Sequence, residues 1–388
     1  MKIMLSAGEA SGDLHGASIA EALCTMDPEV QLFGFGGPEM ERAGVRLVEN
    51  YQDYSVMGFW EVLKNLSKIR HLLDRLTDEM AKEKPDLLVL IDYPDFNWRL
   101  AKRAKKLEIP VFSYIPPSAW AWRKGRAKSC AKLAEEFVAV YPFETEVYRK
   151  AGANISFVGN PLVDTVHADL THLEAEQFFG VKRSEHPVLL MPGSRRQEVE
   201  IIYPIMLRAA KLLRRNEPST RFFTPAAPGV PVKWLREQAE CAGVDVSVVT
   251  EHRYDLMGLA DFAIAVSGTV VMEAALMNLP CVVLYRMSPI TYAIGKLFVH
   301  VDHFSLPNIL LDKRLQPELL QDEVNPERIA REGAKLYRGM KDALRVKVGL
   351  KHASQLLGPP GAAERVADRI WMAAKRSSDR KRNIGDMK

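Results

Sequence analysis

The sequence predicts an α/β protein with two Rossmann-like domains, each built on a parallel sheet, followed by C-terminal helices that pack back on another domain or subunit. Three observations support this prediction. The chain has 388 residues, and about 100–200 residues per domain allows two domains. Short apolar runs alternate with longer amphipathic segments, which is typical of parallel strands covered on both faces. A polar stretch near 160–185 separates two series of such runs.

The predicted strands fall into these two series. The first comprises Ile3–Ser6, Leu32–Phe35, Leu87–Ile91, Val111–Tyr114, Phe137–Val140 and Ile155–Val158. The second comprises Val188–Met191, Phe222–Thr224, Val246–Val249, Phe262–Val266 and Val282–Tyr285. We therefore expect an N-terminal domain at 1–165, a second domain at 166–325, C-terminal helices at 326–376 and a basic disordered tail at 377–388.

Composition excludes several classes of protein. The net charge is +4, from 53 Lys and Arg against 49 Asp and Glu, which is too small to indicate nucleic-acid binding. No apolar run reaches the roughly 18 residues of a membrane span, and the first residues lead directly into a strand pattern rather than a signal peptide. The four cysteines are far apart, as expected for reduced thiols in the cytoplasm.

In open parallel sheets, ligands bind beyond the carboxyl ends of the strands. Gly8–Asp13, which includes Ser11 and Gly12, follows the first strand, and the next helix presents free N–H groups that could bind an anion or a sugar; an ordinary turn capped by Ser11 is the alternative. Asp92 ends the strand Leu87–Ile91, where partial burial would suit a general base. Asp95 fits a helix N-cap better. The glycine loop 34–38 lacks the last glycine of a dinucleotide fingerprint, which disfavours a dehydrogenase.

A block of aromatic and basic residues follows the fourth strand. Trp120 and Trp122 can stack on sugar or apolar faces, and Arg123 can bind phosphate. Core tryptophans at a helix start are the alternative for either residue alone.

The second predicted domain carries nucleotide-binding features. Gly193 and Ser194 precede a helix start, where Ser194-x-x-Gln197 reads as a capping box and Arg195 could stabilise a diphosphate. Ser267, Gly268 and Thr269 open another helix after a strand, and Glu273 lies one turn further on. The sequence contains no Asp-x-Asp and no P-loop lysine motif, so we expect neither a metal site of that type nor ATP chemistry.

In this order, the blocks resemble the lipid-A-disaccharide synthase family of GT-B glycosyltransferases. The resemblance extends over essentially the whole chain except the basic tail. It is carried by the blocks Gly8–Asp13, Ile91–Asn97, Pro117–Arg123, Pro192–Arg195, Ser267–Thr269 with Glu273, Tyr285–Met287 and Ser305–Asn308. The family's GT-B fold implies two domains that face a central cleft, with the acceptor and lipid on the N-terminal side and the UDP-sugar on the other.

The resemblance implies an inverting transfer that needs no metal or other cofactor. UDP-2,3-diacylglucosamine would glycosylate 2,3-diacylglucosamine 1-phosphate and give a β-1,6 disaccharide and UDP. Asp92 would be the base, Arg195 would bind the diphosphate and Glu273 the ribose. Tyr285, Arg286 and Met287 would lie near the uracil, and Asn308 and Glu9 would orient the sugars.

The resemblance also implies peripheral attachment to the inner membrane of a cytoplasmic protein, and a homodimer that exchanges C-terminal segments. A long helix is predicted near 59–82, and its first half would present an acyl-binding face, with Ile201 as a facing residue. That face consists of Phe59, Trp60, Val62, Leu63, Leu66 and Ile69. A simple core stripe is the alternative. Competing functions are a UDP-N-acetylglucosamine 2-epimerase, a peptidoglycan glycosyltransferase of the same fold, and a non-catalytic lipid- or nucleotide-binding protein.

Overall fold

A computed structural model describes residues 1–54, 66–119, 125–287, 292 and 301–385. The chain forms two compact units. One comprises Met1–Pro161 together with Pro359–Lys388, and the other comprises Leu162–Gly358. The last part of the chain therefore belongs to the N-terminal unit.

The first unit contains a seven-stranded parallel sheet. Its strands are β1 (Lys2–Ala7), β2 (Gln31–Gly36), β3 (Arg46–Asn50), β4 (Leu87–Ile91), β5 (Val111–Tyr114), β6 (Glu136–Ala139) and β7 (Ile155–Phe157). In the order β3-β2-β1-β4-β5-β6-β7, the chain adds strands on one side of β1 first and then, from β4 onward, on its other side. The position between β1 and β4 is therefore the switch point of this sheet. The loops after these two strands consequently flank the point where ligands bind in folds of this kind.

Helices cover both faces of this sheet. They are α1 (Ala10–Met26), α2 (Pro38–Arg42), α3 (Leu66–Glu83), α4 (Pro94–Lys106), α5 (Gly125–Ala131), α6 (Glu144–Lys150) and, from the end of the chain, the helix Ala362–Gly385. Alternate strand residues point to opposite faces, so Met4 packs with Leu76 on one face, and Leu5 packs with Ile370 on the other.

The final helix is held by charge as well as by apolar packing. Glu136 at the start of β6 is only 5% exposed and accepts hydrogen bonds from Arg369 Nε at 2.6 Å and Arg376 Nη2 at 2.9 Å. This confirms the prediction of packing on another domain for the final helix, whereas residues 326–358, predicted to form one group with it, belong to the second unit. Exchange between subunits stays a prediction.

The second unit contains a six-stranded parallel sheet. Its strands are β8 (His186–Met191), β9 (Thr220–Pro225), β10 (Val246–Val249), β11 (Phe262–Val266), β12 (Cys281–Tyr285) and β13 (Glu318–Leu320). The order β10-β9-β8-β11-β12-β13 places its switch point between β8 and β11.

The helices of the second unit follow the same alternating pattern. In chain order they are α7 (Leu162–Thr165), α8 (His172–Phe179), α9 (Arg196–Asn216), α10 (Val232–Ala242), α11 (Arg253–Leu259), α12 (Thr269–Leu276), α13 (Leu306–Leu311), α14 (Pro326–Gly333) and α15 (Lys341–Leu356). The final helix, Ala362–Gly385, is α16.

The structure confirms the two parallel-sheet domains and differs from the predicted elements in the following places. Strands β3 and β13 were not predicted, because both lie at sheet edges and carry charged residues in place of a continuous apolar run. The prediction of a disordered tail from 377 is wrong for residues 377–385, since they continue α16. The helix predicted near 59–82 runs over Leu66–Glu83 in the described part of the chain, and residues 59–65 lie outside it.

Candidate active site

Asp92 lies at the switch point of the first sheet, in an unusual backbone conformation. Both Asp92 and Tyr93 have a left-handed backbone conformation, with φ of 47° and 49°. This conformation is uncommon for residues other than glycine and is found more often at functional sites. Burial raises the pKa of the Asp92 carboxyl, partly offset by a hydrogen bond from the Tyr93 N–H. Asp92 is thus a partly buried carboxylate with a raised pKa, at the edge of the sheet where ligands bind in folds of this kind.

A fully buried asparagine holds this turn in place. The amide nitrogen of Asn97 donates to the carbonyl oxygens of Asp92 at 2.7 Å and Ser6 at 3.1 Å, and its Oδ1 accepts from the Ser6 hydroxyl at 2.7 Å. Asn97 therefore joins the ends of β1 and β4 and fixes the direction of Asp92.

The two switch-point loops also meet through Gly8 and Tyr93. A Cβ at Gly8 would lie 2.1 Å from Cδ1 of the Tyr93 ring, so only glycine fits there. The pKa of the Tyr93 phenol is raised by burial and then by the negative charges of Glu9 and Asp95, which places the exposed Glu9 close to the same turn. The predicted residues Glu9 and Asp92 are thus brought to one edge of the sheet.

The first turn of α1 does not have the Ser11 cap of the alternative interpretation. Glu9, not Ser11, is the N-cap, and it makes no side-chain capping bond. Ser11 is exposed in the first turn, and Gly12 is buried against Ala7. Ser11 therefore remains available to a ligand, whereas Gly12 serves close packing.

The glycine loop 34–38 is held by a buried carboxylate of α1. The buried Asp13 carboxylate accepts hydrogen bonds from the N–H groups of Gly37, Glu39 and Met40 at 2.8–3.1 Å. These amides begin α2 and would otherwise be free to bind an anion. Since Asp13 occupies them, this helix start offers no ligand site.

Two further titratable groups line this region and were missed by sequence reasoning. Burial raises the pKa of Glu144 to about 7, and the nearby charge of Asp92 adds to the shift. Burial lowers the pKa of His15 to about 4, and its ring packs edge-on against Tyr114 at 6.0 Å. Glu144 follows β6 closely, so the search for polar residues after each strand could have found it.

Asp95, predicted as an N-cap, lies instead within the first turn of α4. Pro94 occupies the first helical position and makes Tyr93 the N-cap. The exposed Asp95 carboxylate pairs with Arg126 at 2.8 Å. Trp120, Trp122 and Arg123 lie outside the described residues, and their predicted role stays a prediction.

The switch point of the second sheet contains a cavity of about 350 Å³. It is lined by the loops after β8 and β11, by residues after β9, and by α11 and α12. The predicted residues among its lining are Gly193, Ser194, Arg195, Ser267, Gly268, Thr269 and Glu273. The structure thus brings seven of the predicted nucleotide-binding residues around one space.

The helix start at α9 differs from the predicted capping box. The helix begins at Arg196 with Arg195 as N-cap, and no side-chain capping bond forms. The Ser194-x-x-Gln197 prediction is therefore wrong by one residue. The Arg195 side chain is 81% exposed and contacts Glu198 at 3.1 Å, so its guanidinium can reach a ligand.

The loop after β11 supplies backbone donors. Gly268 is the N-cap of α12 without a side-chain cap, so N–H groups of the first turn can bind phosphate. The Ser267 hydroxyl, however, donates to the Phe304 carbonyl at 2.9 Å. Ser267 therefore contributes through the position of the loop rather than through its hydroxyl.

Glu273 lies at the inner side of this cavity. Burial raises the pKa of its carboxyl, and Arg253, whose Nη2 lies 3.7 Å from Oε1, lowers it in part. A partly buried carboxylate beside a helix start can accept hydrogen bonds from ribose hydroxyls.

Tyr285 and Met287 lie at and just beyond the end of β12, and Arg286 between them is exposed. Burial raises the pKa of the Tyr285 phenol; Glu198 raises it further and Arg195 lowers it. The phenol is therefore within electrostatic range of the β8 loop. Met287 is held by Gln321, which accepts from its N–H at 2.9 Å and donates to its carbonyl at 3.3 Å.

Asn308 is placed differently from its predicted role. It is fully buried, and its Oδ1 accepts from the N–H groups of Leu315 and Gln316 at 3.0 and 3.2 Å, while Nδ2 donates to the Gln316 carbonyl at 3.0 Å. These bonds use three of the four that the amide can form, and the side chain is closed to solvent. Direct orientation of a sugar by Asn308 does not fit this geometry, and the side chain instead fixes the turn that leads into β13.

The predicted acyl-binding residues are only partly within the described chain. Phe59, Trp60, Val62 and Leu63 lie outside it, and the side chain of Leu66 is likewise not described. Ile69 packs partly against the core, whereas Ile201 is 55% exposed on α9. Among the helices that the structure describes, none is long and apolar enough to cross a membrane.

Solved structures share this two-unit fold. A UDP-GlcNAc 2-epimerase from Neisseria meningitidis, bound to UDP-GlcNAc, superposes with a TM-score of 0.66 at 14% identity over 96% of this chain and 100% of that one. The calicheamicin glycosyltransferase CalG4 superposes with a TM-score of 0.61 at 13% identity over 97% and 98% of the two chains. These similarities establish the fold.

Sequence comparison establishes the family. The model described as lipid-A-disaccharide synthetase matches residues 3–364. The lipid-A-disaccharide synthase of Syntrophus aciditrophicus is 41% identical over 97% of this chain and 98% of its own length. That of Geobacter metallireducens is 41% identical over 94% and 95%. The chain therefore belongs to the lipid-A-disaccharide synthase family of glycosyltransferases.

Proposed function

We propose that this enzyme transfers 2,3-diacylglucosamine from its UDP derivative to the 6-hydroxyl of 2,3-diacylglucosamine 1-phosphate, forming a β-1,6 disaccharide and UDP. Membership of the family over nearly the whole chain carries the proposal. The chemistry needs a base for the acceptor hydroxyl and a site that stabilises the departing diphosphate.

Asp92 is the proposed base. Burial raises its pKa, which increases the affinity of the carboxylate for a proton. The hydrogen bonds from Asn97 fix the turn around it, so that the carboxylate is oriented before substrate binds. Removing the proton as the O6–C1 bond forms lets attack proceed from the face opposite the diphosphate, which inverts the anomeric carbon.

The cavity of the second unit is the proposed UDP site. The first-turn amides of α12 and the exposed guanidinium of Arg195 would bind the diphosphate and take up the negative charge that develops on it. Glu273 would accept from the ribose, and the segment Tyr285–Met287 would lie beside the uracil. Glu9 and Ser11 would contact the sugars, with Trp120, Trp122 and Arg123 as further substrate contacts.

The test is a turnover assay with both lipid substrates in detergent, with and without EDTA. Wild type should form the disaccharide at equal rates in both conditions, and Asp92→Asn should lose at least about a hundredfold in kcat. Asp95→Asn is the matched control, because it removes an exposed carboxylate three residues away that pairs only with Arg126 among the described contacts. A folded wild type without product, or an Asp92→Asn variant as active as the control, would contradict the proposal.

Peripheral attachment to the inner membrane and a homodimer are part of the same proposal. The exposed Ile201 and the segment 59–69 would contact acyl chains. Vesicles containing anionic lipid should bind wild type more strongly than a Leu63→Glu variant, and sedimentation velocity should give twice the chain mass. Equal vesicle binding or a monomeric mass would contradict these two parts separately.

A further inference from the structure

We infer that the edge strand β13 is the positioning element of the nucleotide-sugar site, acting through Glu318 on the loop after β11 and through Gln321 on the loop after β12. Neither residue lines the cavity of that site. The inference rests on the proposed function only in taking that cavity as the UDP site.

Glu318 is a buried carboxylate that organises backbone. It is 5% exposed, and its Oε1 accepts from the N–H groups of Phe304 and Ser305 at 3.1 and 2.6 Å. Oε2 lies 3.7 Å from Nδ1 of His303. A buried carboxylate is costly unless its partners are in place, so segment 303–305 is fixed relative to β13.

This segment in turn fixes the loop after β11, whose amides are proposed to bind the diphosphate. The carbonyl of Phe304 accepts from the Ser267 hydroxyl at 2.9 Å, and the Phe304 ring packs against Tyr285 at 5.9 Å between centroids. Ser267 immediately precedes the N-cap of α12. A shift of Phe304 would therefore move both the amides proposed to bind diphosphate and the aromatic ring at the end of β12.

Gln321, directly after β13, holds the loop after β12 in a similar way. Its side-chain amide makes both possible hydrogen bonds to the backbone of Met287. Gln321 has a left-handed backbone, with φ of 52°. This conformation is uncommon outside glycine, and here it turns the chain directly after β13.

Hydrogen bonds of two buried side chains, Asn308 and Gln316, hold the segment that leads into β13. Asn308 binds the backbone at 315–316 through three hydrogen bonds, and Gln316 Oε1 accepts from the Cys281 N–H at the start of β12 at 3.1 Å. Asn308, although buried away from ligand, is thereby linked to the UDP site through β13.

The experiment measures UDP binding by titration calorimetry and thermal unfolding on the same samples. Gln321→Ala and Glu318→Gln keep most of the packing, and Glu318→Ala removes both acceptors. We expect UDP binding to weaken about threefold to tenfold for the first two and more than tenfold for Glu318→Ala. In turnover assays the KM for the UDP-sugar should rise more than kcat falls.

Asp261→Asn is the matched control. Asp261 is a 2% exposed carboxylate of the same unit, just before the first residue of β11 and therefore at the opposite end of that strand from the cavity, and it binds Arg338 and His186. The Asp261→Asn substitution should lower the melting temperature without weakening UDP binding.

The possible outcomes separate the inference from the proposed reaction. If Gln321→Ala and Glu318→Gln bind UDP as wild type does, the inference is wrong, whether or not Glu318→Ala folds. If Asp261→Asn weakens UDP binding to the same extent, the effect is general destabilisation and the inference is also wrong. If wild type does not bind UDP, both the inference and the proposed function fail; if it binds UDP but forms no disaccharide, only the proposed reaction fails.

Discussion

Replacing Glu136 should loosen α16 less than replacing its two arginine partners. In Glu136→Gln the guanidinium groups of Arg369 and Arg376 lose an anionic acceptor, but both are already 39% and 54% exposed and can bind water instead. In the double variant Arg369→Met and Arg376→Met, the aliphatic stems stay in place, and the 5% exposed carboxylate is left buried without its two partners.

The magnitudes follow from this asymmetry. A hydrogen bond to a charged group contributes about 1.5–3 kcal/mol, and solvent exposure of the arginines reduces that contribution. We therefore expect the opening free energy of α16 to fall by about 2 kcal/mol in Glu136→Gln. An uncompensated buried charge costs about 3–5 kcal/mol, which is the loss expected for the double variant.

Hydrogen–deuterium exchange of peptides from 362–382 reports this opening locally. Lys375→Met, on the exposed side of the same helix, is the control and should leave exchange unchanged. A loss in Glu136→Gln equal to or greater than that of the double arginine variant would refute the reasoning, because it would mean that the arginines, and not the carboxylate, carry the desolvation cost.

Four other predictions concern the first unit in the region of Asp92. Gly8→Ala should destabilise the first unit by about 1–3 kcal/mol through overlap with the Tyr93 ring, and by much less in a Tyr93→Ala background; additive losses in urea unfolding would contradict this. Asn97→Ala should cost about 1–3 kcal/mol for each buried group left unpaired and also lower kcat; calorimetry showing an unchanged melting temperature would rule it out. Because the folded pKa of Glu144 is raised from 4.5 to about 7, stability should fall as pH rises through that window, and Glu144→Gln should flatten the curve. The His15 pKa is lowered from 6.5 to about 4, so stability should fall as pH drops through this second window, and His15→Gln should remove that part; unchanged curves would count against either assignment.

The sequence predicts best those residues whose place in the fold depends only on which strand they follow. Asp92 was found because it directly ends an apolar strand, and the residues at 193–195 and 267–273 were found because they open helices after strands. Parallel topology then forces such residues to one edge of each sheet. The grouping of seven predicted residues around one cavity follows from this rule.

The remaining features depend on tertiary packing, which leaves a weaker trace in sequence. Asn308 has the chemistry of a ligand-binding residue, yet three backbone hydrogen bonds occupy it. Strand β13 is three residues long and includes a glutamate, so no period-2 pattern marks it. The cap positions were shifted because Pro94 and Arg195 set the helix starts through their backbones rather than through side-chain acceptors.

The return of the last helix to the N-terminal unit has a consequence for synthesis of the chain. Domains generally complete folding in the order in which they emerge, but here Leu162–Gly358 is an insertion within the other unit. The inserted unit can finish while the first still lacks the side chains of Val366 and Ile370, which are fully buried in its core. The N-terminal unit, which is synthesised first, is therefore completed last. A truncation near the C-terminus would damage its sheet and the turn that carries Asp92.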